Sequence, residues 1–230
     1  MSASFFLSIE FQQTGFLVIR AHKAAFGNEK FTPRYRVFLG DQRRLAEGVV
    51  VGQPGWQQRL AANRQKYLEE FAAQTEFVAR FPQGQPAADF VDKLFANAGV
   101  TPTDGERASA VNAYGPGNAQ GRAAALGSVV ESAPVYNALY NPAFVLMQYF
   151  GYLRRNPDDG PDFNFDGYDF WLGKLNQFSL PGEDVRGESV ALGRVRRAEM
   201  VRAFIESAEY RMRFFGAEGG NQLGPAIGRD

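Results

Sequence analysis

Five aspartates, Asp158, Asp159, Asp162, Asp166 and Asp169, fall within twelve residues of the stretch NPDDGPDFNFDGYDFW, with no lysine or arginine among them. Brought within about 4 Å, each like-charge pair costs about 1 kcal/mol even in water, so a compact loop of this composition invites a counter-ion. Calcium is the cation that the spacing suggests. Asp162, Asn164, Asp166 and Gly167 reproduce the D-x-N-x-D-G order of a helix–loop–helix calcium site at its positions 1, 3, 5 and 6, and the Tyr168 carbonyl falls at position 7. Position 12, where a bidentate glutamate belongs, is Gly173, and position 9 is Phe170. Calcium takes six to eight oxygens, so Asp158 or Asp159 must fold back to complete the set. The candidate calcium ligands are therefore Asp158, Asp162, Asn164, Asp166 and Tyr168. The competing reading needs no ion: Asp166 caps the helix that carries Trp171 and the other acids face solvent.

Other chemistry has less to stand on. Cysteine is absent, which excludes disulfides, thiolate nucleophiles and Cys-based metal centres. His22 is the single histidine and lies in the apolar run GFLVIRAHKAAFG, where a locally bonded or exposed helix histidine is the expectation. The carboxylate pairs Glu69 and Glu70, Asp89 and Asp92, and Glu206 and Glu209 have spacings common on solvated helix faces. The Gly-rich GPGNAQGRA, residues 115–123, has no lysine or preceding strand for a phosphate cradle and reads as a linker. These absences predict no catalytic residue and no cofactor apart from calcium. Lys+Arg and Asp+Glu balance at 25 each, so no net field draws the chain to nucleic acid. No run approaches the length of a transmembrane helix, and MSASFFLSIEF lacks the basic start of a signal peptide.

One pattern recurs along the chain. FFLSIEF, FAAQTEF and FIESAEY, beginning at Phe5, Phe71 and Phe204, each place an aromatic first, Ser or Gln fourth, Glu sixth and an aromatic seventh. VVESAPVY, from Val129, is a degraded copy with Pro134 in place of the glutamate. Aromatics at this spacing fall near one helix face, two turns apart, with the glutamate toward solvent or capping the next turn. Apolar helical runs start at Gly15, Asp89 and Ala143; the first two stop at Gly27 and Gly99 and the third at Asn156-Pro157. Trp56 and Trp171 each follow a glycine-containing turn and have a leucine four residues on. The expectation is an all-α chain, one helical domain over 1–230, with three related units at about 16–81, 86–140 and 142–216 around a shared aromatic core supplied by 21 phenylalanines. Residues 179–193 read as a surface insertion and 217–230 as a flexible tail. Strand signals such as GVVVG are too short to argue for a sheet.

The stretch from Ala143 to Phe214 resembles the bacterial family known as domain of unknown function 4214. There an apolar helix leads into an Arg-x-Pro-Asp turn, then a Gly, a Trp-bearing helix and a helix ending in Ser-x-Glu-Phe or Tyr. Arg155, Pro157, Asp158, Gly167, Trp171, Ser207, Glu209 and Tyr210 match it, and Phe38, Gly40, Trp56, Thr75, Glu76 and Phe77 match more loosely. The middle unit lacks the turn and the Trp. The resemblance implies a noncatalytic structural or protein-interaction module of a larger bacterial extracellular or surface protein, whose partners are neighbouring domains or other proteins of a surface assembly; the acidic loop adds calcium as its candidate stabiliser. A carbohydrate- or peptide-binding module is the alternative function, and the cytoplasm the alternative location.

Overall fold

The computed structural model describes residues 11–27, 33–177 and 191–215, with side chains from residue 13 onward and, in the last segment, from 197. FFLSIEF apart from Phe11, nearly all of the 179–193 stretch and the 217–230 tail lie outside the described residues. Within them every regular element is helical. In chain order they are α1 (Phe16–Phe26), α2 (Tyr35–Ala46), α3 (Trp56–Ala72), α4 (Thr75–Arg80), α5 (Ala87–Ala98), α6 (Asp104–Tyr114), α7 (Ala119–Glu131), α8 (Ala133–Gln148), α9 (Asp166–Asn176), α10 (Ala191–Glu206) and α11 (Ala208–Phe215). A π turn, Phe11–Gly15, leads into α1, and another, Tyr149–Leu153, follows α8.

Every residue of α1 is buried. A helix wrapped on all sides can hold charges only if each finds a partner. Arg20 meets Glu131 at 3.0 Å and lies over the rings of Phe16 and Tyr136. His22 meets Asp41 of α2. This corrects the expectation of a locally bonded or exposed histidine. Helices α2, α4, α5, α7 and α8 pack around α1. Gly27, with φ 96°, and Gly99, with φ 73°, end α1 and α5 where the sequence placed the stops.

One cluster of buried apolar residues runs from Phe16 to Phe204. Rings meet in a chain through it: Phe77 and Phe81 at 4.7 Å, Phe81 and Phe90 at 5.0 Å, and Phe90 and Tyr114 at 4.9 Å. Arginines take part in this packing. Arg122 lies over Phe77 and Phe90 and donates to the carbonyls of Phe81 and Pro82. Arg197 lies over Tyr140 and Phe144 and donates to Asn141. Arg122 belongs to the stretch expected to be a linker, whose second half is instead the start of α7, capped by Asn118 through the Gly121 amide.

The recurring aromatic pattern marks a corner, not a continuous helix face. Gln74, Ser132 and Ser207 each interrupt a helix. Gln74 and Ser132 are extended, at φ −62°, ψ 142° and φ −63°, ψ 148°. At each corner the amide bonds back to the carbonyl three residues earlier, in Phe71, Val129 and Phe204. The corner carbonyl then accepts the amide four residues later, from Val78, Tyr136 and Arg211. The serine hydroxyls add bonds to the Val129 and Phe204 carbonyls, both at 2.7 Å. Serine competes with the helical ladder in this way, which is why it favours helix starts over helix interiors.

The two tryptophans do not occupy equivalent elements. Trp56 opens α3, the helix that itself runs into FAAQTEF, whereas Trp171 lies in α9, separate from the helix bearing FIESAEY. Trp171 packs against the buried cluster.

Candidate functional site

The acidic loop hangs between two fixed ends. Upstream, the π turn after α8 closes on Arg154, whose φ of 51° turns the chain out of the helix. Downstream, the Asn164 side chain accepts the Asp166 amide at 2.9 Å and starts α9. Asp166 is a first-turn acid of α9 and not its cap, where the helix dipole favours it.

The charge among the aspartates is answered by arginine. Arg155, whose side chain is 5% exposed, donates from Nη1 to the carbonyls of Asn156, Pro157 and Asp159 at 3.0–3.2 Å. Its Nη2 reaches Asp162 at 2.7 Å and Glu209 at 2.9 Å, and its Nε reaches Glu209 at 2.7 Å. The planar fork of guanidinium suits such simultaneous pairing. From α2's leading residue, Arg34 Nη1 grips both oxygens of Asp158 at 2.8 Å, and Nη2 meets Asp159 at 3.2 Å. Asn156 stitches the two sides together: its side-chain oxygen accepts the Tyr35 amide at 2.7 Å, and its backbone and side-chain N–H groups both donate to Asp159 at 2.8 Å.

Of the five residues read as calcium ligands, Asp158 therefore pairs with Arg34, Asp162 with Arg155, and Asn164 with its own turn, while Asp166 is exposed at the helix start. Tyr168 is buried inside α9 and donates its hydroxyl to the Pro142 carbonyl at 3.2 Å. Among the described residues no group of three or more His, Asp or Glu side chains is arranged to hold a metal.

Protonation follows from these contacts. Burial opposes charge on Arg155, but its bonds to Glu209 and Asp162 outweigh that and hold it above the usual guanidinium value. Asp159 is lowered: partial burial raises it, and the Asn156 donors, with Arg34 and Arg155, more than reverse the effect. Burial pushes the Tyr149 phenol up to about 12. Its hydroxyl lies 2.6 Å from where a Cβ on Gly167 would sit, so a side chain there would have to push the phenol aside.

The residues carrying the family resemblance meet here. Glu209, in the corner sequence of α10 and α11, grips the turn arginine instead of facing solvent. Ser207 accepts the Tyr210 amide at 3.1 Å. The Tyr210 ring meets Tyr152 at 5.9 Å, and Trp171 meets Phe204 at 6.1 Å. On the outer side Phe163 is 80% exposed with φ 53°, and Phe170 is 56% exposed.

The carboxylate pairs are tied up separately. Asp92 is held by Arg107 at 2.6 and 2.7 Å, Glu206 by Arg202 at 2.7 Å, and Glu69 accepts from Gln65 at 3.1 Å. A second polar group went unread in the sequence. His22 Nε2 lies 2.9 Å from Asp41 Oδ2, which also accepts the Tyr67 hydroxyl at 3.2 Å. Burial, then Asp41, holds the Tyr67 phenol well above its usual value. An aspartate in the middle of α2's apolar stripe was the available signal.

Comparison with family models, curated proteins and solved structures returns no match for this chain.

Proposed function

We propose that the chain is a noncatalytic structural or protein-interaction module of a larger bacterial extracellular or surface protein, a member of the family it resembles. The observation that supports this reading is the use made of the resembling residues. Arg155, Glu209, Ser207, Tyr210, Trp171 and Gly167 make internal contacts that tie α9, α10 and α11 to one another and to the turn after α8. A motif of this kind preserves a shape, whereas a catalytic motif leaves polar atoms pointing at a substrate. No helix among the described residues is long and apolar enough to cross a membrane.

The test is location and contact. Surface biotinylation of the bacterium that makes the protein, followed by cross-linking, is expected to label it and trap it against neighbouring domains or surface proteins. Recovery only in the cytosolic fraction contradicts the reading. Calcium is a separate part of the proposal, because the ion would have to compete with Arg34 and Arg155 for Asp158 and Asp162. At 100-fold excess over its dissociation constant it adds about 2.7 kcal/mol, so melting in calcium and in chelator should differ by several degrees. Coincident curves remove calcium from the account.

The peptide-binding alternative has one observation in its favour. An aromatic at positive φ costs roughly 1 kcal/mol and is tolerated where the side chain is wanted in that place. Phe163 is such a ring, 80% exposed and three residues before the exposed Asp166. Its prediction is binding of basic, apolar peptides that is lost in Phe163→Ala.

A further inference from the structure

Between α1, α2 and α4 lies a cleft of about 570 Å³ whose walls include His22, Phe26, Arg34, Val37, Glu76 and Arg80. His22, one of its lining residues, is paired with Asp41, both side chains 7% exposed. Asp41 accepts from Nε2–H, with Tyr67 donating to the same oxygen, and Arg44 lies 3.7 Å from the other. The ring is fixed against Phe71 at 4.9 Å and Phe26 at 5.7 Å. In the tautomer that carries its single proton on Nε2, Nδ1 is the acceptor. Among the described residues Nδ1 has no hydrogen-bond partner, and His22 lines the cleft.

The rim carries opposite charges that do not cancel each other. Glu76 and Arg80 are four residues apart on α4, the spacing at which such side chains ordinarily pair. Here Arg80 turns away and donates Nη1 to the Phe26 carbonyl at 3.1 Å, and Glu76 has no ion-pair partner among the described residues. The cleft thus offers a carboxylate and a histidine acceptor for a cation, a guanidinium for an anion, and the apolar faces of Phe26 and Val37 for a hydrocarbon group.

We infer that this cleft binds a small zwitterion of the amino-acid class with an apolar side chain. The ammonium lies toward Glu76 and His22, the carboxylate toward Arg80, and the side chain along Phe26 and Val37. This site is independent of the scaffold reading and uses none of the residues that lock the acidic loop except Arg34 at its edge.

Because the chain has a single histidine, its ring resonances report this site alone. Titrating the intact protein with L-phenylalanine, N-acetyl-L-phenylalanine and L-phenylalaninamide separates the contributions. L-Phenylalanine is expected to shift the His22 signals and saturate, with each capped analogue at least about tenfold weaker, the usual loss for one unpaired polar contact. The surface variants Glu76→Gln and Arg80→Gln, checked for an unchanged melt, should each weaken L-phenylalanine about tenfold. Absence of a shift up to about 10 mM, a range that covers weak binding, overturns the inference. So do equal responses to all three ligands, or full affinity in both variants.

Discussion

Asp159 shows how one side chain carries the loop's electrostatics. Its partners favour the ionised form, so its native value lies below the value of about 3.9 that the unfolded chain displays. The stabilisation it gives is complete above that unfolded value and disappears as the pH falls through the depressed native one. Wild-type protein should therefore lose denaturant resistance between about pH 5 and pH 2, and Asp159→Asn should flatten that part of the profile. Equal profiles in chemical denaturation would show that the Asn156 and Arg34 contacts are not made in solution. Little of this was legible in the sequence. The aspartates were conspicuous because they lie side by side, but Arg34 is 124 residues from Asp158 and Glu209 is 54 from Arg155. An acidic run suggests a metal only while its distant cations are out of view.

At the scale of the elements, the sequence showed where helices end more clearly than how they turn. The stops at Gly27 and Gly99 were readable because glycine adopts positive φ without strain. The corners at Gln74, Ser132 and Ser207 were read as helix faces because aromatics six residues apart satisfy a two-turn spacing whether or not the helix breaks between them. Serine at the fourth position was the stop-and-start signal that the spacing concealed. Close helix packing supplies a sharp test. A Cβ on Gly121 would sit 2.0 Å from the Tyr114 backbone carbonyl where α6 meets α7, whereas Gly105, in α6, has nothing within 4 Å. Gly121→Ala should cost about 3 kcal/mol, and Gly105→Ala should stabilise by about 0.5 kcal/mol. Similar melting shifts in the two variants would contradict the α6–α7 geometry.

At the scale of the molecule, the all-helical body and the shared aromatic interior followed from composition and periodicity: 21 phenylalanines with helical spacing have few other ways to leave water. What composition could not reveal is that arginines are packed among the rings. Arg20, Arg122, Arg155 and Arg197 each lie over one or two aromatic faces while their N–H groups reach carbonyls, amides or carboxylates. Nor could it separate the two tryptophans. Trp171, packed on the buried cluster, should cost about 3 kcal/mol when changed to alanine. Trp56 lies outside that cluster and should cost about 1 kcal/mol. Equal losses in thermal unfolding would place Trp56 inside.

The central claim is that the motif residues hold the chain's shape by clamping the turn after α8 to α11. A double-mutant cycle in urea unfolding with Arg155→Met, Glu209→Gln and the pair measures that clamp directly. A coupling of about 2 kcal/mol between the two positions is expected. Additive losses, with a coupling below about 0.5 kcal/mol, would contradict it.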